Sequence, residues 1–380
     1  MGLRDPIVQE DSSNWKIAIV TNTVDSSEVE FRSVETIKDK HGEDKVIHRT
    51  WPVRFAEESE MMINILLDIA AIEEVKALVI NQAVINTNAA VARFRELRDD
   101  VFIVYCDPAE DIEETSELAE LILAGNPPLM SEFIVLQAKA MGADTIVHYS
   151  YPRLMATPQF VMRRDIMQET AEKAGIKFVD LSTPDPMSDG ADALQAHIAQ
   201  DVPRQVRRFG KNTAFFGTSC RMQPNLITQV IETGAIFPQP CCPSPYHGFP
   251  SAFQLASQVP TGELCPERGI ELMRFRTMGE IIEATRDELR ARDLSGRLSN
   301  WPVPPAMAWT VIGAEYAIEW IEGNVPQERG VIDLDVIGRI CMEYTLYISG
   351  EPIGGVFVPF DQEGLRISHY ILGIIDYIIY

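Results

Sequence analysis

Six cysteines are the side chains of this sequence with the widest chemistry, because a thiol can act as nucleophile, base, metal ligand or redox partner. They are Cys106, Cys220, Cys241, Cys242, Cys265 and Cys341. No two of them have the CxxC spacing typical of zinc and redox sites, and six in 380 residues do not make a disulfide scaffold. The pattern therefore predicts that most of these cysteines are small, buried, apolar side chains. It does not decide whether the protein belongs to an oxidising or a reducing compartment.

Residues 238–250 carry reactive side chains on a stiff backbone. They read PQPCCPSPYHGFP, with five prolines in thirteen residues, which predicts a rigid, irregular loop. Tyr246 and His247 are candidates to bind a ligand from this loop, and Tyr246 could stack on it. Cys241 and Cys242 have three interpretations: a vicinal disulfide, a soft-metal site together with His247, or two packed thiols.

Cys106 and Cys220 each come just after a predicted strand, one in each half of the chain. Two thiols facing one ligand would supply the two bases of a cofactor-independent racemase. The signatures GxGxxG, GxxxxGK[ST], HExxH and GxSxG are all missing from the sequence. We therefore expect no catalytic residue, no cofactor and no metal, and the racemase is an alternative.

Polar side chains follow the predicted strands at their carboxyl ends, where open parallel sheets bind ligands. These candidate ligand-binding residues are Asn22, Thr23, Asn81, Gln82, Asp107, Tyr149, Ser150, Ser182, Thr218 and Ser219. Their mainly neutral hydrogen-bonding groups predict a small polar ligand. Asn, Ser and Thr also follow strands because they cap the next helix, so each single position has a second explanation.

The elements that must position these groups alternate between strand and helix. Residues 16–21 (KIAIVT) form an apolar run typical of a strand buried on both faces. Ser27 and Glu30 have the spacing of a capping box at the start of the next helix. Further strands are predicted at residues 46–49, 77–80, 101–105, 119–123, 145–148, 177–181 and 213–216. Repeated βα units of this kind imply parallel sheets with helices on both faces.

The sequence thus predicts an α/β protein with two doubly wound, Rossmann-like lobes and a ligand cleft between them. We expect an N-terminal lobe in residues 1–143, a C-terminal lobe in residues 144–298, and returning segments in residues 299–380. The boundary itself is expected between Gly125 and Asp144. Trp309, Tyr316 and Trp320 share one face of a late helix, which predicts either a homodimer surface or packing on the same lobe.

The charge and hydropathy patterns restrict the partners. Lys and Arg number 33 against 56 Asp and Glu, which gives a net charge of −23. Such an excess repels phosphate, so nucleic acid is not expected as a partner. No apolar run is long enough to cross a bilayer, and the N-terminal residues lack the apolar core of a signal peptide. The chain is expected to be either cytoplasmic or extracytoplasmic with its leader absent.

Six stretches of the sequence carry a resemblance to a known family. They are KIAIVTNT from Lys16, GADTIVHYSYPR from Gly142, GIKFVDLSTPDP from Gly175, NTAFFGTSCRMQ from Asn212, PQPCCPSPYHGFP from Pro238 and SNWPVPPAMAW from Ser299. Through them the chain resembles an uncharacterised bacterial family, a domain of unknown function with a type I periplasmic-binding-protein-like fold. The proline- and cysteine-rich stretch is the most specific of the six.

The resemblance implies two hinged lobes that close on a small polar molecule. It favours an extracytoplasmic solute-binding protein, periplasmic or lipid-anchored, that serves an ABC transporter. A cytoplasmic or membrane-linked ligand sensor is the alternative. A transcriptional regulator is disfavoured, because no helix-turn-helix precedes Lys16. The resemblance assigns no binding residues, so the candidates above depend on strand-end positions alone.

Overall fold

The computed structural model describes residues 14–264, 271–362 and 364–380, so Cys265 lies outside the described residues. The chain forms two compact units, each assembled from separate segments. Unit 1 comprises Met1–Gly125, Ala306–Tyr344 and Gly355–Gly373. Unit 2 comprises Asn126–Pro305, Thr345–Gly354 and Ile374–Tyr380.

Strands and helices alternate through most of the chain. The strands are β1 (Lys16–Thr21), β2 (Val46–Thr50), β3 (Val75–Ile80), β4 (Phe102–Cys106), β5 (Leu121–Gly125), β6 (Thr145–Ser150), β7 (Lys177–Ser182), β8 (Thr213–Gly217), β9 (Gln258–Leu264), β10 (Glu271–Phe275), β11 (Ser299–Asn300), β12 (Gly355–Gln362), β13 (Leu365–Ile375) and β14 (Ile378–Ile379). The helices are α1 (Glu28–His41), α2 (Ser59–Ala70), α3 (Thr87–Arg95), α4 (Ile112–Leu118), α5 (Pro127–Ala140), α6 (Pro158–Ala174), α7 (Ala191–Phe209), α8 (Gln223–Thr233), α9 (Phe249–Ala252), α10 (Met278–Ala291), α11 (Pro305–Ile321) and α12 (Leu334–Ser349).

Unit 1 is built around a sheet with the strand order β12-β13-β5-β4-β3-β1-β2. From β2 to β13 all pairs are parallel. The order β2-β1-β3-β4-β5 is doubly wound, and it reverses between β1 and β3, which is therefore the switch point of this sheet. The predicted α/β class is confirmed. Three of its strands end later than predicted: β2 includes Thr50, β4 includes Cys106, and β5 extends to Gly125.

Alternate residues of the unit 1 sheet pack against two different helical layers. Ile103 and Tyr105 of β4 belong to the same buried cluster as Phe94 of α3. Val104 faces the other side, where it lies against Gly313 of α11. This alternation is the period-2 geometry of a strand that is covered on both faces. The helices therefore lie on both sides of the sheet, as the sequence predicts.

Helix α11 buries the aromatic face that the sequence offers as either a dimer surface or a packing surface. Trp309 and Tyr316 are fully buried. The Trp320 ring centroid lies 5.0 Å from that of Phe102, which begins β4. These side chains pack within unit 1, so the packing alternative is confirmed for them: their apolar area covers the unit's own sheet.

The close approach of α11 to the sheet depends on Gly313. Gly313→Ala would place its Cβ 2.7 Å from Val104 Cγ1 and 3.4 Å from Leu123 Cδ1. We expect the free energy of unfolding to fall by about 1–2 kcal/mol, because overpacking in a close-packed core outweighs the gain of alanine over glycine in a helix. Urea denaturation followed by circular dichroism measures the change.

Gly338→Ala is the matched control for this substitution. Gly338 also lies inside a helix, α12, but a Cβ there meets no atom within 4 Å. Its replacement should raise the free energy of unfolding by about 0.5–1 kcal/mol. Equal effects of the two substitutions would contradict the close contact between α11 and β4.

Unit 2 contains three parallel strands in the order β7-β6-β8. Single parallel bridges, Ala214 to Ile236 and Phe237 to Leu298, continue the pairing beyond β8, and β11 pairs with β14 in antiparallel fashion. Because β6 comes first in the chain and lies between β7 and β8, the order reverses between β6 and β8. Unit 2 thus has its own switch point.

Helix α5 belongs to unit 2, because its apolar side packs into the core of that unit. Ile134, Val135 and Ala138 share a buried cluster with Ile146 of β6. The chain leaves unit 1 directly after Gly125, rather than after residue 143, so the transition lies at the start of the expected interval. Among the helices that the structure describes, all are too short or too polar to cross a bilayer.

Candidate ligand-binding site

A hydrogen-bond network spans the switch point of unit 1. Asn22 directly follows β1 and is buried, and Gln82 lies two residues beyond β3. Asn22 Nδ2 donates to Gln82 Oε1 at 2.8 Å and to Glu30 Oε2 at 2.8 Å. Ligands of doubly wound sheets bind at this edge, beside the switch point. Asn22, Gln82 and Glu30 therefore occupy the position where unit 1 would contact a ligand.

Glu30 is the member of this network that the sequence did not identify as a site residue. Ser27 is the N-cap of α1, but its side chain does not accept a bond from the first turn, so the predicted capping box is wrong. The Glu30 carboxylate accepts from Asn22 instead. Burial raises the pKa of Glu30, although hydrogen bonds from Asn22 and Ser27 act in the opposite direction. Glu30 therefore contacts the residue that follows β1 instead of completing a capping box at the start of its own helix.

Asp107 is the second acid at this edge of the sheet. It directly follows β4, and its Oδ1 accepts from the backbone N–H of Gly125 at 3.0 Å. Burial raises the pKa of Asp107 to about 6; the Gly125 N–H opposes this shift, and the charge of Glu30 adds to it. Two interacting carboxyl groups with raised pKa values, one after β4 and one in the first turn of α1, favour a functional site.

Two of these residues also have a backbone conformation that is uncommon outside glycine. Gln82 has φ +46° and Asp107 has φ +43°, both in the left-handed region. Backbone bonds hold the segments in place: the N–H of Ala83 donates to Cys106 O at 2.9 Å, and that of Asp107 donates to Leu123 O at 2.9 Å. Such conformations cost free energy and are concentrated at functional sites.

Asn81 and Thr23, also predicted as ligand-binding residues, make contacts within unit 1. Asn81 is fully buried, and its Nδ2 donates to Ala306 O at 2.9 Å and to the hydroxyl of Thr310. It therefore ties the end of β3 to α11, and we assign it to the core. The Thr23 hydroxyl is hydrogen-bonded to that of Ser26 at 2.9 Å, in the turn before α1.

The switch point of unit 2 is also bridged by side chains. Ser150 ends β6 and Thr218 directly follows β8; both are buried. Thr218 Oγ1 lies 3.0 Å from Ser150 Oγ and 3.0 Å from the backbone oxygen of Tyr149. The structure thus brings Ser150 and Thr218 together at the edge where unit 2 would contact a ligand.

The remaining strand-end predictions of unit 2 have other environments. Tyr149 is fully buried, and its hydroxyl donates to Asp201 Oδ2 at 2.7 Å, so we assign it to the core. Ser182 is exposed at the end of the outer strand β7. Ser219 Oγ accepts from the backbone N–H of Arg221 at 3.4 Å and caps the short turn that follows β8.

Sequence reasoning missed an ion pair just beyond β6. Arg153 Nε lies 2.8 Å from Asp185 Oδ2, and its Nη2 lies 3.0 Å from Asp185 Oδ1. The guanidinium also lies 5.2 Å from the centroid of the Tyr151 ring. The signal was present in the YSYPR stretch, where an aromatic residue and a cation follow the strand. This edge of unit 2 therefore carries charged groups as well as hydroxyls.

The loop of residues 238–250 meets the end of β8 through a cluster of thiols. Cys241 Sγ lies 3.5 Å from Cys220 Sγ and 3.9 Å from Cys242 Sγ, and Cys220 and Cys242 are 3.7 Å apart. All three thiols are free, so the vicinal disulfide is not formed. The His247 ring nitrogen completes a group of four ligand atoms that lie within 4.8 Å of one another. Tyr246 is partly buried beside them.

Cys106 does not have the properties of a catalytic base. It is buried at the end of β4. Burial raises the pKa of the Cys106 thiol well above its ordinary range, the charge of Asp107 adds to the effect, and a hydrogen bond with Thr310 opposes it. A thiol of this kind stays protonated at neutral pH, so the structure does not support the two-thiol racemase.

The sequence comparison decides the family. Residues 15–264 match the family described as Protein of unknown function (DUF3798). The chain belongs to this family. This DUF3798 chain is also 27% identical over 172 residues to an uncharacterised protein of Treponema pallidum (strain Nichols), a match that covers 45% of this chain and 80% of that protein.

Solved structures agree with the DUF3798 chain in fold. A structure from Clostridium difficile 630, provisionally described as a transcriptional regulator, matches with a TM-score of 0.81 and 20% identity over 97% of this chain and 99% of that one. A sugar ABC transporter from Actinomyces odontolyticus matches with a TM-score of 0.50 and 10% identity over 84% and 88%. The predicted type I periplasmic-binding-protein-like fold is therefore confirmed, whereas identities this low carry no statement about ligand or role.

A concavity of about 250 Å³ in unit 1 lies away from the strand ends described above. It is lined by Phe102, which begins β4, and by the ion pair of Arg95 with Glu120. Because it lies at the amino edge of the sheet, it is not in the position where this fold binds ligands. The DUF3798 chain thus has its candidate binding groups at the carboxyl edges of its two sheets.

Proposed function

We propose that this protein is an extracytoplasmic solute-binding protein that captures a small, hydroxyl-rich molecule by closure of its two units and presents it to a membrane transporter. The observation that carries the proposal is the network of Asn22, Glu30 and Gln82 at the switch point of unit 1, with Asp107 beside it. The fold shared with a structure described as a sugar ABC transporter provides strand-end positions of the kind at which α/β proteins bind small ligands. The proposal involves binding without chemical change.

The unit 1 network has the chemistry to recognise hydroxyl groups. The carboxylates of Glu30 and Asp107 accept hydrogen bonds, and the amide of Gln82 both donates and accepts. A polyol can satisfy both kinds of partner with each of its hydroxyls. Gln82 is exposed, whereas Asn22 and Glu30 are buried. The outer amide is therefore the group that meets the ligand, and the buried pair fixes its orientation.

Unit 2 offers complementary groups at its own carboxyl edge. Ser150 and Thr218 supply hydroxyls, and Tyr151 supplies an aromatic ring held beside Arg153. A ligand that bonds to both edges binds more tightly to a closed form than to an open one. The difference between the two affinities sets how far the equilibrium shifts towards closure.

A thermal-shift screen with sugars, polyols, amino acids, nucleosides and small acids tests the proposal. We expect a sugar or polyol to raise the melting temperature, since a ligand at a hundred times its Kd stabilises a protein by about 2.7 kcal/mol. Gln82→Ala should weaken that ligand roughly tenfold, because it removes hydrogen bonds worth about 1–1.5 kcal/mol. Isothermal titration calorimetry measures the affinity.

Gln254→Ala is the matched control for the calorimetry. Gln254 is also exposed and also has a left-handed backbone, with φ +54°, but it lies in unit 2 and follows helix α9 rather than a strand. It should leave the affinity unchanged. The proposal fails if no compound stabilises the protein, or if small-angle scattering shows no compaction with a bound ligand. Stabilisation by amino acids alone would overturn the assigned ligand class.

A further inference from the structure

The thiol cluster of unit 2 is arranged as a complete ligand set. Cys220 comes from the turn after β8, and Cys241, Cys242 and His247 come from the loop of residues 238–250. Their four ligand atoms lie within 4.8 Å of one another. Side chains from two separate segments converge on one point here, and no contact of the candidate solute site uses them.

The distances between the sulfur atoms are those of a tetrahedral metal site. Zinc binds thiolate sulfur at about 2.3 Å, so two sulfurs on a tetrahedral zinc ion lie about 3.8 Å apart. The three pairs among Cys220, Cys241 and Cys242 lie at 3.5, 3.7 and 3.9 Å. These separations exceed the 2.03–2.05 Å of a disulfide bond and place the sulfurs around a shared centre.

A hydrogen bond to the backbone orients the His247 ring as a metal ligand. Its Nδ1 lies 2.9 Å from the backbone oxygen of Cys242. A carbonyl oxygen only accepts, so Nδ1 carries the hydrogen and Nε2 keeps its lone pair. A metal-binding histidine is commonly held in this way, with its second nitrogen donating to a carbonyl or carboxylate. The imidazole is thus fixed in the tautomer that can coordinate a metal through Nε2.

The surroundings of the cluster balance the charge of such a site. Three thiolates, a neutral imidazole and a divalent cation together carry one net negative charge. The guanidinium of Arg163, on α6, lies close enough to Cys241 and Cys242 to interact with both electrostatically. Its Nε is buried and has no hydrogen-bond partner among the described residues. A buried cation beside the thiols stabilises an anionic centre.

We propose that Cys220, Cys241, Cys242 and His247 together bind one Zn²⁺ ion. Thiolate ligands select soft or borderline ions over Mg²⁺ and Ca²⁺, and a closed set of three cysteines and one histidine is a structural zinc site rather than a catalytic one. The ion would attach the proline-rich loop to Cys220, in the turn that follows β8. This site is independent of the solute and of its binding groups.

Cobalt substitution and zinc analysis test the proposal. The full chain, reduced and freed of metal with a chelator, should bind Co²⁺ at one ion per chain, with the intense visible absorption of tetrahedral cobalt and a sulfur-to-metal charge-transfer band. Zn²⁺ should displace the cobalt and abolish both bands. X-ray absorption of the zinc protein should show sulfur at about 2.3 Å and nitrogen at about 2.0–2.1 Å.

Substitutions of the exposed ligands test metal binding in a protein that remains folded. Cys220 and Cys242 are exposed, so Cys220→Ala and Cys242→Ala remove a ligand without opening a cavity. Each should lose stoichiometric binding while the far-UV circular dichroism remains. Cys341→Ala is the control, because Cys341 lies on α12, outside the cluster, and this variant should bind zinc like the parent protein.

Three results would overturn the proposal. The first is a reduced, folded protein that shows no tetrahedral cobalt spectrum at one equivalent. The second is zinc retention in Cys220→Ala and Cys242→Ala equal to that of the parent. The third is alkylation of Cys220 and Cys242 at the same rate with and without added Zn²⁺. The same mapping, done without reductant, would also identify a disulfide if one forms.

Discussion

Trp309→Ala is expected to lower the free energy of unfolding by about 3–5 kcal/mol, the range for truncation of a buried tryptophan. Trp309 is fully buried. Its ring centroid lies 6.3 Å from that of Phe357, nearly perpendicular to it, and its edge would lie 2.9 Å from a Cβ placed at Gly373. The surrounding strands cannot collapse fully into the space, so a cavity remains. Chemical denaturation followed by circular dichroism measures the loss.

Tyr347→Ala is the control, because it truncates an aromatic side chain that is 65% exposed on α12. Its effect should stay within about 0.5 kcal/mol. Sedimentation should give the same mass for Trp309→Ala as for the parent, since Trp309 packs inside unit 1. A loss comparable to that of the control, or a change in oligomeric state, would contradict the packing of α11 described above.

Asp107→Asn is expected to stabilise the protein above pH 6 by up to roughly 3 kcal/mol, the free energy equivalent of a pKa raised from 3.8 to about 6. Burial opposes ionisation of Asp107, and an amide removes that cost while its Oδ1 still accepts from the Gly125 N–H. The partly exposed position reduces the effect through solvent screening. Melting temperatures measured from pH 4 to pH 8 provide the test.

The sign of this pH dependence follows from proton linkage. Between about pH 3.8 and pH 6 the unfolded chain has lost the Asp107 proton while the folded protein still holds it. Stability from this group therefore falls as the pH rises through that interval and is constant above it. Asp107→Asn should lack this component and match the parent near pH 4. Asp39→Asn, at an exposed position on α1, is the control, and its melting temperature should follow that of the parent at every pH. If the melting temperature of Asp107→Asn also changes with pH in parallel with the parent, this explanation is ruled out.

The alternation of buried strands and helices could be predicted from the sequence because it depends on local patterns. The KIAIVT run matches β1 residue for residue, since a strand covered on both faces requires continuous apolar residues. The assignment of α5 could not be predicted in the same way. An apolar stripe on a helix shows that one side is buried, but not which of two sheets will cover it.

The candidate sites show the same division between local and tertiary information. Asn22, Gln82 and Asp107 could be found because position at a strand end is a property of the sequence. Asn81 directly follows β3 and Tyr149 is the penultimate residue of β6, yet both side chains are buried in the core, and only packing decides between these outcomes. The proximity of Cys220 and Cys241 depends on how the loop returns to β8, which no short motif records.

The interrupted segments of the two units have a consequence for biosynthesis. The last segments of the described chain, including α11, β13 and β14, complete both units. While the ribosome is still adding residues before 306, the hydrophobic core of unit 1 cannot close, because β5 lacks its neighbour β13 and the Val104 face of the sheet lacks α11. The nascent chain must therefore remain incompletely folded until late in synthesis, the state in which a polypeptide can still be bound by a chaperone or threaded through a narrow export channel.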